Sequence, residues 1–207
     1  MLKIKIKRKN YELPTSWDEI TMKQYCHLFY KLPTVDSKAS EGEKFAQLID
    51  NESIIISRLL GQNDDFVMGL PFELFLSLKE SVRFIYDIDN FLDSGMFSLN
   101  IDGKRYWMRD VSEMSLRQFI DADMIMKQDE NEGQFIELLA CLLLPKDEEY
   151  DGKYQHLIPK IEQMSARDCL PFIYTFFKKK ELSNRVSEVY SKVGVEADQL
   201  LHSIQSS

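Results

Sequence analysis

The chain has 207 residues, 44% of them hydrophobic and 29% charged, close to the average for a globular protein. That balance excludes a disordered or collagen-like chain, and the length leaves room for one large domain or two small ones. Lys and Arg total 26 against 34 Asp and Glu, and the net charge of −8 disfavours nucleic acid as the main partner.

Leu2, Ile4 and Ile6 alternate with lysines, the period of a half-buried strand, and residues 10–13 supply its hairpin partner. Lys3, Lys5 and Lys7 then share one strand face, which offers a few phosphate contacts or, the favoured reading, protects an exposed sheet edge from pairing. A helix follows with Met22, Tyr25, Cys26 and Phe29 on one face, ended by Pro33. Thr21 is a weak N-cap candidate because the apolar periodicity starts beside it. A longer helix over 45–60 stops at Gly61, a good C′ residue, and Pro71 opens the next at its N1 position. Leu74, Leu78, Val82, Ile85 and Phe91 give that helix a broad apolar stripe toward residue 92.

From residue 97 the pattern starts again. Strands 97–101 and 104–108 flank Asp102-Gly103, a dipeptide suited to a two-residue type I′ turn because both central positions need positive φ. Leu116, Phe119, Ile120 and Asp123 form the face of the next helix, with Ser115 as another weak cap. A helix over 135–144 stops at Pro145, residues 147–151 form an acidic exposed loop, and Ser165 to Asp168 resembles a capping box before a helix over 169–179.

The recurrence has a register. Ile6, Lys9 and Tyr11 match Ile101, Lys104 and Tyr106 at an offset of 95, and 19–25 matches 113–119 at 94 with identities or close substitutes throughout. Pro71, Ser77 and Phe84-Ile85-Tyr86 match Pro159, Ser165 and Phe172-Ile173-Tyr174 at 88. Self-similarity in one order is the signature of a repeated unit. The expected fold is therefore α+β and mostly helical, with two pseudo-repeats (1–95 and 96–180), each a β-hairpin followed by about three helices. A C-terminal helical extension occupies 181–207. There Leu182, Val186, Val189 and Val193 are spaced 4, 3 and 4, a stripe suited to receive a partner helix or to pack back on the second unit.

No constellation for chemistry stands out. The three histidines, His27, His156 and His202, lack metal-ligand spacing, and Cys26 beside His27 points about 100° away from it on a helix, so no dyad forms. The pairs Asp87/Asp89 and Asp121/Asp123 read as solvated helix faces, and no Gly-rich phosphate loop exists. Lys178-Lys179-Lys180 suits a helix C-terminus. Trp17 and Trp107 are expected to cap the core of each unit. No catalytic, metal-binding or cofactor-binding residue is expected. Cys26, Cys141 and Cys169, odd in number and without CxxC spacing, read as reduced thiols of an intracellular chain that starts without the apolar stretch of an export signal. The longest apolar run, 138–144, is far short of the roughly 20 residues of a membrane span.

Residues 13–25, LPTSWDEITMKQY, and through the repeat residues 101–126, resemble small proteins of bacteriophages and prophages of gut Bacteroidota, similar to tail assembly chaperones. The resemblance implies a non-enzymatic virion-assembly protein acting by protein–protein contact in the bacterial host cytoplasm. Its partners would be other phage structural proteins, a tape-measure-like protein or neighbouring virion subunits; a homo-oligomer is compatible with it. The alternative it leaves open is a permanent virion component, a neck, ring or packaged cargo protein. Chaperones of this type are usually single helical units without clear hairpins, so the doubling here is a departure.

Overall fold

The computed structural model describes residues 1–34, 36–86, 98–109, 113–129 and 131–176. In chain order these form β1 (Leu2–Ile6), β2 (Lys9–Leu13), α1 (Met22–Phe29), α2 (Glu41–Leu59) and α3 (Phe72–Ser81). The second half gives β3 (Ser98–Ile101), β4 (Lys104–Met108), α4 (Leu116–Lys127), α5 (Gln134–Leu142), β5 (Leu143–Pro145) and α6 (Ile158–Gln163). A last helix, α7, runs over 166–176. The protein is α+β and mostly helical, and each half is a hairpin followed by helices. Short 3-10 turns at Val67–Gly69 and Gln155–Leu157 precede α3 and α6, again 88 residues apart.

The two hairpins share one register. Ile6 faces Lys9 and Ile4 faces Tyr11 in the first, as Ile101 faces Lys104 and Leu99 faces Tyr106 in the second. Each closes through two residues of positive φ, Asp102 (52°) and Gly103 (78°) in one, Lys7 (46°) and Arg8 (69°) in the other. That is the backbone a type I′ turn needs to match the twist of its strands. Lys7 therefore leaves the strand face that Lys3 and Lys5 share, and its ammonium lies 6.0 Å from the Phe66 ring.

Several boundaries differ from the sequence expectation. Thr21 and Ser115 are effective caps: each hydroxyl accepts the N–H three residues on, from Gln24 and Gln118, at 3.2 Å. α1 ends at Phe29, well before Pro33. The backbone turns extended at Tyr30 and left-handed at Lys31 (φ 49°), and the Arg58 guanidinium satisfies the freed end by donating to the carbonyls of His27, Leu28 and Tyr30 at 2.9, 3.2 and 2.8 Å. α2 starts four residues earlier than its apolar pattern, because Ser40 and Glu43 form a capping box: the Ser40 N–H donates to the Glu43 carboxylate at 2.8 Å.

The stripe expected to run from Leu74 toward residue 92 breaks at Val82, where a 3-10 turn over Arg83–Tyr86 begins. Phe91 lies outside the described residues. In the second half, the apolar run 138–144 is not one helix. Its last residues leave α5 and add β5 to β4, with Trp107 opposite Leu144 and Met108 opposite Leu143. A short apolar stretch suits a buried strand as well as a helix, so periodicity could not separate them. Ser165 does start a helix, but at 166 rather than 169: its hydroxyl accepts the Arg167 N–H at 3.2 Å and donates to the Trp17 carbonyl at 3.3 Å.

Buried residues of both halves form one cluster, from Ile6, Leu13 and Ile20 through Ile56 and Leu78 to Leu139, Ile161 and Phe172. Residues 169–173 of α7 are all buried, while Arg167, Asp168 and Tyr174 on it are exposed, so the helix enters the core through its middle turn. Trp17 is buried and edge-on to Phe84, with ring centres 5.5 Å apart, whereas Trp107 is half-buried. The extension 181–207, Asp87, Asp89 and Lys178-Lys179-Lys180 lie outside the described residues.

Candidate functional site

The face of α4 that the sequence reading turned toward the core is on the outside. Leu116 is 75% exposed, Met124 60%, Ile120 46% and Phe119 40%, while Gln118, Ala122 and Ile125 are buried. At about 100° per residue these two groups lie on opposite sides of the helix. Asp123 lies within this face, between Phe119 and Leu116 around the helix, and pairs there with Lys127 at 2.6 Å. Four large apolar side chains side by side in water cost solubility, and such patches mark contact surfaces.

The matching face of α1 is buried. Met22 and Cys26, which correspond to Leu116 and Ile120, are 0% and 5% exposed. The difference lies in the neighbours: α1 packs against α2, α5 and α6, whereas the main partner of α4 is α5. The second half supplies the cover for α1 through a backbone clasp. The Met22 N–H donates to the Met164 carbonyl and the Ala166 N–H to the Ile20 carbonyl, both at 2.8 Å. Two ion pairs flank it, Arg167 with Asp18 at 2.7 Å and Lys23 with Glu162 at 3.5 Å.

The buried or suggestive titratable groups elsewhere do not form a reactive cluster among the described residues. Burial pushes the Cys26 and Cys169 thiols up to about 12 and Cys141 to about 11, so none offers a thiolate near neutrality. His27, exposed, turns from Cys26 to Glu132, with Nδ1 3.1 Å from a carboxylate oxygen. The Tyr150 hydroxyl donates to Asp121 at 2.7 Å, and burial raises its pKa. Thus Asp121 and Asp123 are half-buried and bonded rather than simply solvated. A cavity of about 420 Å³ lies beside β4 and β5; Lys104 holds Glu148 at 2.7 Å and Lys153 holds Asp151 at 3.2 Å on its wall, beside the exposed Glu149. Among the described residues, no group of three His, Cys, Asp or Glu is placed to hold a metal ion, and no helix is long and apolar enough to cross a membrane.

The stripe Leu182, Val186, Val189 and Val193 lies outside the described residues, so the surface brought together is the one on α4. Its exposure carries no signal in the sequence, because an apolar face has the same period whether it points inward or outward. No protein-family model matches the chain, and no curated protein or solved structure matches it either.

Proposed function

We propose that this is a non-enzymatic phage virion-assembly protein of the tail assembly chaperone type, which works by holding other proteins through apolar contact. The observation that carries the reading is the open face of α4, where Leu116, Phe119, Ile120 and Met124 stand exposed on a chain of net charge −8. Charge keeps such a chain dispersed while the patch supplies the binding energy, at about 25 cal/mol for each Å² of apolar surface covered.

Co-expression with the tape-measure protein of a phage that carries the gene tests this. The wild type keeps that protein soluble, and the double substitution Leu116→Glu, Ile120→Glu does not. A tape-measure protein equally soluble with either form removes the chaperone role. Mass spectrometry of purified particles separates the alternative: a chaperone is missing from the finished virion, whereas a neck, ring or cargo protein is present in fixed number.

A further inference from the structure

We propose that the protein assembles head to tail, with the exposed face of α3 from a second copy covering the exposed face of α4. This rests on the reading of α4 as a contact face and names what covers it while no tape-measure protein is bound. Within one chain, the first-half helix α1 is already covered in the corresponding way, by the second-half segment that ends at Ala166. That contact joins the front of one unit to the rear of the other. It therefore leaves two faces over, the front of the second unit on α4 and the rear of the first unit on α3.

Both leftover faces are open and apolar. On α3, Phe72 is 68% and Leu76 46% exposed, and Leu76 stands 88 residues before Met164, the residue that clasps α1. On α4, Leu116 and Ile120 stand where Met22 and Cys26 are buried. Each open face also carries an exposed charge of opposite sign beside its apolar side chains. Arg117 takes the place of Lys23 and is exposed, its guanidinium lying over Gly152. On α3 the position that matches Glu162 is the half-buried Leu74, and the exposed Glu73 stands beside Phe72. Lys23 and Glu162 pair within the chain at 3.5 Å, and Arg117 of one copy meets Glu73 of the next.

One feature of the internal contact is not repeated. Ser77 sits inside α3 with its backbone engaged in the helix, so the strand-like pairing of Thr21 with Ser165 has no counterpart. The contact between copies is made by side chains alone and is correspondingly weaker and reversible. Joining unlike faces, it propagates into a ring or a filament rather than stopping at a two-fold dimer.

Sedimentation velocity on face-blocked variants tests this. The wild type increases in mass with concentration. Leu116→Glu with Ile120→Glu blocks one face and Phe72→Glu with Leu76→Glu the other, and each double variant sediments as a single chain. Mixed in equal amounts they form a finite pair, because each keeps the face the other lacks. Arg117→Glu or Glu73→Arg alone weakens association by about tenfold, and the two together restore it. A wild type that stays a single chain at every concentration overturns the proposal. So does failure of the blocked variants to pair, or self-association of either one. If the chain is monomeric yet the α4 variant still fails to hold the tape-measure protein, self-assembly falls and the contact function stands.

Discussion

Gln24 and Gln118 occupy matching places in the two halves and do opposite work. Gln24 is exposed, and its side-chain oxygen accepts the Thr21 N–H at 2.9 Å, closing the capping box of α1. Gln118 is fully buried, and its amide donates to the Cys141 carbonyl at 2.9 Å where α5 gives way to β5. The side chain that finishes a helix end in one unit thus supports a helix-to-strand transition in the other. Replacing Gln118 by Ala leaves that carbonyl unpaired in the core and costs about 1–3 kcal/mol. Gln24→Ala loses only part of a surface cap and costs about 0.5 kcal/mol. Urea unfolding of the two variants gives the comparison, and equal losses contradict it.

Arg58 ties α1 to α2 through three hydrogen bonds to the end of α1, and donates two more to the Asp64 carboxylate in the following loop at 2.8 Å. Arg58→Ala costs about 2 kcal/mol, and Arg58→Lys recovers little because an ammonium cannot make the fork. The bonds from Arg58 hold the Asp64 carboxyl below its ordinary 3.8. Its folded pKa is therefore the lower one, so its contribution is complete above about pH 4 and fades as pH falls through the folded value. The stability gap between wild type and Asp64→Asn, followed by unfolding titrations, stays level from neutral pH down to about pH 5 and closes below about pH 4.

The turns differ in strain although they share a shape. Gly103 adopts φ 78° freely, while Arg8 holds 69° against its own Cβ. Arg8→Gly stabilises by about 1 kcal/mol, and Gly103→Ala destabilises by about the same amount. Thermal midpoints of the two variants move in opposite directions; movement in the same direction removes the common turn.

The three thiols are buried and held protonated. A thiol reagent at pH 8 labels the native chain slowly and the denatured chain at all 3 cysteines within minutes. Rapid native labelling of any of them shows that it is more open than the packing described.

What could be read from residues alone follows from where the physics is local. Asp102-Gly103 announces its turn because few other pairs tolerate two positive φ values. Lys7-Arg8 makes the same turn without announcing it, and only the offset of 95 points to it. Ser165 signals a helix start through its own hydroxyl. The β5 strand is hidden, since Leu143 and Leu144 are as apolar as the α5 residues before them and pairing with β4 decides their state. The open face of α4 is hidden for a deeper reason. Met22 and Leu116 are near-equivalent side chains in near-equivalent sequence, and only the number of neighbouring helices makes one core and the other surface.

That contrast can be measured by placing a charge at matched positions, at concentrations where the chain does not associate. Leu116→Glu and Ile120→Glu shift the thermal midpoint by no more than about 2 °C, as expected of side chains that stay in water. Met22→Glu and Cys26→Glu bury an unpaired carboxylate and abolish cooperative unfolding or lower the midpoint by more than about 10 °C. If the α4 variants unfold as badly as the α1 variants, the face assigned to binding is part of the core and the account is wrong.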